Sequence, residues 1–257
     1  MSQRRALILD LDSTLLHLDV TPGAIEVPGR TRSAYVSAET VYALAALQDK
    51  YDIVLATARS WLGTQPVVAG LAERGVRVTG VVLEDGGLLG PPGAHRPLEP
   101  RRQWGALRSV IETTITDGLP QFQWQEDFQA CLVARAESAA EAQALEPLLG
   151  RRAREIDATL RSFRDGRKVY LAGERADKWT ALETLLSERA REAVGIGDGA
   201  NDACWLAHVA LPCTLTGAAP ELVALVGGRG GLLSEAAGHM GICELLNLLA
   251  DPSPIKS

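Results

Sequence analysis

Ala6-Leu7-Ile8-Leu9-Asp10-Leu11-Asp12-Ser13-Thr14 is the stretch that decides how this chain folds. Four apolar residues without polar alternation read as a strand buried on both faces, the pattern of a parallel sheet covered by helices on either side. The run stops on carboxylates at the strand's C-terminal end, where open parallel sheets place their ligands.

Similar apolar runs at 53–56, 76–83, 194–196 and 209–211 are expected as further strands. Segments 37–50, with Val41, Leu44, Ala45 and Leu47 on one side, and 178–191, with Ala181, Leu182, Leu185 and Leu186, are expected as amphipathic helices between them. That alternation implies an α/β protein with a doubly wound, Rossmann-like parallel-sheet core. The middle of the chain reads differently. The glycine and proline cluster at 86–93 marks a boundary. A strand at 128–135, a helix at 138–149, and a hairpin of 158–163 with 168–172 turning at Asp165-Gly166 are expected after it. Residues 91–171 are therefore expected as an α+β insert between core segments 1–90 and 172–257. Segment 18–32, with Pro22, Gly23, Pro28 and Gly29, is expected as a loop beside the entrance to a site.

With 257 residues, 46% of them hydrophobic, the chain can bury the core of one large domain, or of a domain with a smaller companion. Its net charge of −6, from 26 basic and 32 acidic residues, supplies no overall field for nucleic acid or anionic lipid. No apolar stretch approaches the roughly 18 residues that cross a membrane. Cys131, Cys204, Cys213 and Cys243 show no C-x-x-C spacing and are expected as reduced thiols of a cytoplasmic protein.

Asp10 and Asp12, two residues apart, would point the same way in extended chain, so the turn after the strand must separate them. One can then attack phosphorus while the other protonates the departing oxygen. Asp198 and Asp202 follow the strand at 194–196 within Gly197-Asp198-Gly199-Ala200-Asn201-Asp202. A hard cation such as Mg²⁺ takes oxygen ligands and keeps several waters, so carboxylates from two strand ends suffice for it. Thr57, Ala58 and Arg59 close another strand, where a hydroxyl and adjacent backbone N–H groups can hold a phosphoryl oxygen. Lys178 begins a helix, the unfavourable end for a cation in the helix dipole, and taken alone it reads as a surface lysine. A competing pattern is Gly195-Ile196-Gly197-Asp198-Gly199-Ala200, which matches a dinucleotide-binding G-x-G-x-x-A with Glu221 as the ribose acid, although Asp198 and Asp202 would repel a pyrophosphate.

The order of these motifs, a strand-end Asp pair, a strand-end Thr, a Lys and then Gly-Asp-Gly-x-Asn-Asp, resembles the haloacid dehalogenase superfamily over nearly the whole chain. The resemblance implies Asp10 as a nucleophile that forms an aspartyl-phosphate, and Asp12 as the acid that protonates the leaving oxygen and then activates water. Thr57 would hold the phosphoryl group, with Ala58, Arg59 and Asn201 beside the substrate, and Lys178 would neutralise and orient Asp10. Mg²⁺ would be held by Asp10, the Asp12 backbone carbonyl and Asp198, with Asp202 and Asn201 supporting that centre. The carboxylate at Asp12 disfavours dehalogenation, since a halide needs no proton, and disfavours the ion-pumping branch.

An insert between Thr57 and Lys178 is where type II capped members carry a lid, and the chain is similar among them to sucrose-phosphatase-like and Cof-like phosphatases. The expected activity is hydrolysis of a small phosphorylated metabolite, such as a sugar phosphate. A phosphomutase and a non-catalytic binding protein remain as alternatives, and oligomeric state is not specified. Ala58 stands where glycine is common, Asp85 where asparagine is frequent, and the 18–32 loop is longer than the pattern. Cap candidates for substrate choice are His95, Arg101, Arg102, Trp104, Glu126, Asp127, Arg161, Arg164 and Arg167. Arginines in the pocket would suggest a carboxylate or second phosphate on the substrate, carboxylates and Trp a sugar ring.

Overall fold

The computed structural model describes residues 4–29, 32–100, 102–114 and 120–251. The deciding stretch forms β1 (Arg5–Leu9), buried over its last four residues. A hairpin follows, β2 (Ile25–Val27) with β3 (Ala34–Val36), and then α1 (Ala38–Leu47), begun by Ser37, whose Oγ accepts the Thr40 N–H. Next come β4 (Tyr51–Ala56), α2 (Trp61–Glu73), β5 (Val78–Leu83), β6 (Leu88–Gly90) and β7 (Arg96–Pro97). The middle of the chain supplies α3 (Trp104–Thr114), β8 (Phe122–Trp124), β9 (Cys131–Ala136), α4 (Ala139–Ile156), β10 (Leu160–Asp165) and β11 (Lys168–Gly173). The last part holds α5 (Lys178–Leu186), α6 (Arg189–Glu192), β12 (Val194–Gly197) and α7 (Ala203–Leu206). It ends with β13 (Leu211–Thr216), α8 (Pro220–Gly228), β14 (Leu232–Ala237) and α9 (Gly238–Ala250).

Among the described residues the larger sheet runs β14-β13-β12-β1-β4-β5-β6-β7, parallel from β14 to β5, with β6 and β7 antiparallel at one edge. From β1 the chain winds one way through β4 and β5, and later the other way through β12, β13 and β14. The order therefore reverses between β1 and β12, which opens a crevice beyond their C-terminal ends. Alternate residues of β1 feed opposite layers. Leu7 and Leu9 pack with Leu44 of α1, Leu71 of α2 and Leu245 of α9, whereas Ala6 and Ile8 pack with Leu182 of α5, Trp205 of α7 and Leu222 of α8. This is the doubly wound core that the unbroken apolar run implies.

The smaller, antiparallel sheet runs β10-β11-β9-β8. Leu132, Ala134, Val169 and Leu171 on one face pack against Leu145 and Leu149 of α4, while Cys131, Val133, Tyr170 and Ala172 on the other rest on Ala58 and Ala176 at the end of the larger sheet. The second face thus looks toward the crevice.

Several boundaries differ from expectation. The 86–93 cluster is not a linker but contributes β6, and β7 adds a further strand, so the larger sheet continues past residue 90. The smaller sheet likewise continues through Gly173. Segment 18–32 contains β2. The strand expected at 209–211 begins at Leu211, because the Ala210 and Leu211 N–H groups both turn back to the Ala193 carbonyl. The strand expected at 76–83 begins at Val78, since the Val76 N–H still closes α2 on Leu71. The helix expected at 178–191 breaks at Ser187, which has a φ of 54°. The strand expected from 128 starts at Cys131, and the helix expected to end at 149 runs on to Ile156. Asp165 pairs with Lys168, so the hairpin turns on Gly166-Arg167, with Gly166 at a φ of 54°. The four cysteines form no disulfide, and among the described residues no helix is long and apolar enough to cross a membrane.

Candidate active site

Asp10 and Asp198 stand on the two sides of the crevice, on the turns that leave β1 and β12. The Asp10 N–H donates to the Ile196 carbonyl at 2.9 Å, which fixes the carboxylate as a continuation of the strand pairing. The chain then coils tightly. The Leu11 carbonyl accepts from Thr14, Leu15 and Leu16, and Ser13 takes a φ of 61°. This turn separates the two carboxylates as the sequence required: Asp10 points inward and is buried, whereas Asp12 points outward. It also brings Thr14 round, so that its Oγ1 donates to Asp198 Oδ1 at 2.8 Å.

Lys178, read in isolation as a surface lysine, is fully buried. Its Nζ donates to Asp10 Oδ1 at 2.8 Å and to Asp202 Oδ1 at 2.7 Å. The position at the first residue of α5, beneath Asp177 as N-cap, is what aims it across the sheet end. Burial would depress its pKa, but Asp10, Asp202 and Asp85 hold it well above the ordinary value. Asp10 is pushed well up by burial and by the nearby Asp202 charge, which together outweigh the ammonium. Burial, helped by Asp202, likewise pushes Asp198 up to about 6.

Asp10, Asp198 and Asp202 offer oxygens that all lie within 4.8 Å of one another. Their roles differ. Asp202 Oδ1 also accepts from Trp205 Nε1 at 2.9 Å, and its Oδ2 accepts the N–H groups of Asp198 at 3.2 Å and Gly199 at 3.0 Å. Four donors fill its acceptor capacity, so Asp202 braces the loop and Lys178. The hydrogen bonds made to Asp10 and Asp198 among the described residues engage Oδ1 of each, which leaves Oδ2 on both. A buried and a half-buried carboxylate, crowded together with open hard oxygens and each costly to ionise alone, fit a divalent cation. Asn201 is half-buried in the short turn before α7, and its side chain makes no hydrogen bond among the described residues.

The glycines of the dinucleotide-like pattern serve packing. A Cβ on Gly195 would lie 2.4 Å from the Trp205 ring, and one on Gly197 would lie 2.7 Å from Asp202 Oδ2. The loop leads into a four-residue helix, so no helix N-terminus is presented to a pyrophosphate.

Thr57 is buried, tied to β5 through its N–H to the Val82 carbonyl, and its Oγ1 accepts the Arg59 N–H at 3.2 Å. Its hydroxyl proton is left for an incoming oxygen. Ala58 does not take a positive φ, so glycine is unnecessary there, and its methyl joins the Tyr170 cluster. Arg59 makes a two-pronged contact with Asp12, Nε to Oδ2 at 2.8 Å and Nη2 to Oδ1 at 2.6 Å. Desolvation would raise the Asp12 pKa, but the Arg59 hydrogen bonds and charge bring it below the ordinary value.

The junction of the two sheets holds Glu84 and Asp85, of which the sequence reading singled out only Asp85, as standing where asparagine is frequent. Glu84 and Asp85 both take a φ of 53°. The Glu84 carboxylate, fully buried, accepts the N–H groups of Gln129 at 3.0 Å and Ala130 at 2.7 Å, clamping the approach to β9. Burial pushes its pKa up to about 7 despite those bonds. Asp85 pairs with Arg161 at 3.3 Å, and Arg161 also donates to the Ala176 carbonyl. The signal available was Glu-Asp-Gly-Gly, whose glycines announce a tight turn but not which carboxylate is buried.

Of the other cap candidates, Asp127 accepts from Ser60 Oγ at 2.5 Å, and it lines an open cleft with Arg167. His95 packs at a tilt against Trp61, Arg102 pairs with Asp157 beside Trp104, Glu126 pairs with Arg108, and Arg164 is exposed. Arg101 lies outside the described residues.

No protein-family profile and no curated protein matches the chain. Solved structures do. A haloacid dehalogenase-like hydrolase from Bacteroides thetaiotaomicron superposes with a TM-score of 0.67 at 16% identity, over 96% of this chain and 100% of that one. A haloacid dehalogenase subclass IIB sugar phosphatase gives 0.65 at 14% identity, over 95% and 98%. A protein of Thermotoga maritima gives 0.68 at 14% identity, over 95% and 97%. Across nearly its whole length, therefore, the chain has the fold of these proteins, a Rossmann-like core with an added α+β module.

Proposed function

We propose that the chain is a phosphomonoester hydrolase of the haloacid dehalogenase superfamily with a type II cap, acting on a small phosphorylated metabolite. The observation that carries this reading is the buried Lys178 ammonium shared between Asp10 and Asp202 at the switch crevice. Such an ammonium orients one carboxylate and answers the charge on a transferring phosphoryl group. The solved sugar phosphatase of the same fold supports the substrate class, a sugar phosphate being the nearest example.

In this account a carboxylate oxygen of Asp10 attacks phosphorus, and the ester P–O bond breaks as Asp12 gives a proton to the leaving oxygen. Water, losing its proton to Asp12, then attacks the phosphorus of the aspartyl-phosphate, which releases phosphate and restores Asp10. Thr57 Oγ1 and Lys178 hold the phosphoryl oxygens. An arriving phosphoryl group competes with Asp12 for Arg59 and so frees the acid for its task. Asp10, Asp198 and the Asp12 backbone carbonyl would hold Mg²⁺, which supplies Lewis-acid neutralisation of the phosphoryl oxygens when bound. The smaller sheet with α3 and α4, between β7 and α5, serves as the lid.

The test is phosphate release with Mg²⁺ across a panel of sugar phosphates, phosphoglycerate derivatives and nucleotides, with Asp10→Asn as control. Release lost in the variant and on chelation supports the reading; release that survives Asp10→Asn refutes it.

A further inference from the structure

Between the C-terminal edge of the larger sheet and the open face of the smaller one lies a cleft of about 480 Å³ that reaches Asp12 and Arg59. The strand register shows what the smaller sheet presents to it. Arg135, Lys168 and Asp165 are paired across β9, β11 and β10, and two residues along on the same face come Val133, Tyr170 and Phe163. The second rung is apolar and packs toward Ala58, and the first lines the cleft. Tyr170 is fully buried, yet its hydroxyl has no hydrogen-bond partner among the described residues.

With the Arg59–Asp12 pair set aside, the charged lining is Arg32, Arg135, Arg167 and Lys168 against Asp127 and Asp165. Asp127 is already engaged by Ser60. Two cations for each acid, in a chain whose net charge is −6, is a local reversal of sign. Guanidinium and ammonium groups match carboxylate and phosphate oxygens, whereas the hydroxyls of a neutral sugar ring would gain more from carboxylates and amides.

Resting on the phosphatase reading, we infer that the preferred substrate bears a second anionic group, a carboxylate or a second phosphate, received by Arg135, Arg167 and Lys168 while the ester to be cleaved sits at Asp10. Phe128, which lines the cleft between them, supports the atoms that join the two groups.

The experiment uses the full chain with Mg²⁺ and two matched pairs, phosphoglycerate with glycerol phosphate, and a sugar bisphosphate with its monophosphate. Para-nitrophenyl phosphate is the generic reference. At least one pair should favour the member with the extra anion by about tenfold or more in kcat/KM, equivalent to ~1.4 kcal/mol. Which pair does so tells carboxylate from phosphate. The double variant Arg167→Gln/Lys168→Gln should remove most of that preference, mainly by raising KM. Equal or poorer turnover of both extra-anion esters, alongside clear hydrolysis of para-nitrophenyl phosphate, overturns the inference and leaves the phosphatase reading standing. If no ester is hydrolysed, the phosphatase reading falls, and calorimetric binding of the same pairs to Asp10→Asn decides the inference. Tighter binding of an extra-anion member supports it, and indifference refutes it.

Discussion

Replacing Lys178 with methionine should destabilise the protein heavily, and more so at alkaline than at acid pH. The ammonium is 0% exposed, and its two partners, Asp10 at 6% and Asp202 at 1%, are nearly as deep. Methionine fills a similar volume, so the loss is electrostatic: two buried carboxylates lose their shared counter-charge. Removing one partner of a buried ion pair costs ~3–5 kcal/mol. For a chain of this length each kcal/mol moves Tm by about 2–4 °C, which gives a fall of roughly 6–20 °C. The pH dependence follows from Asp10. Burial and Asp202 already raise its folded-state pKa even with Lys178 present, and losing the ammonium raises it further. A carboxyl shifted upward by folding gives stability that is complete below its unfolded pKa and is lost as pH rises through the folded value. The deficit against wild type should therefore be larger near about pH 8 than near about pH 5. Thermal unfolding by circular dichroism at both pH values measures it, and adding Asp10→Asn to the variant should return part of the loss. A Tm within ~2 °C of wild type at the higher pH, or a deficit that grows on acidification, would refute the reasoning.

Arg59→Ala should let the Asp12 pKa rise toward its ordinary value and, because Asp12 must carry the proton it gives to the leaving oxygen, move the alkaline limb of the kcat/KM profile to higher pH; an unmoved limb would contradict the pairing as the cause. Glu84, at about 7 in the folded state, contributes stability that is present below about pH 4.5 and is lost as pH rises through about 7. Glu84→Gln should accordingly flatten the Tm-versus-pH curve across that window, and an unchanged slope would count against the buried clamp. Mg²⁺ should raise Tm more above about pH 6 than below it, because Asp198 must give up its proton to bind. Asp198→Asn should abolish that gain, and a full Mg²⁺ shift in the variant would remove Asp198 from the metal centre.

The core was legible because β1, β4 and β12 are buried on both faces, and an unbroken apolar run carries that information in a few residues. Catalytic candidates at strand ends were legible for the same reason, since each closes such a run. Lys178 was not legible by itself. A helix-start lysine is buried only when two carboxylates from distant segments meet it, and Asp10 lies 168 residues away. Spacing alone did not separate Asp198 from Asp202, which the resemblance did, and only the fold shows that Trp205 and two backbone N–H groups occupy Asp202. The edge strands β6 and β7 escaped because their short glycine- and proline-rich sequence reads as loop, and pairing with β5 is what makes them strands. The Asp85–Arg161 and Glu84–Ala130 contacts that hold the two sheets together depend on tertiary approach alone.

The central claim is that Asp10 becomes covalently phosphorylated. Rapid acid quench of the enzyme during turnover of a radiolabelled phosphate ester, followed by peptide mapping, tests it most directly. The account predicts label on the peptide containing Asp10, absent in Asp10→Asn and discharged when turnover ends. Steady phosphate release with no label at Asp10, or with label on another residue, would contradict it.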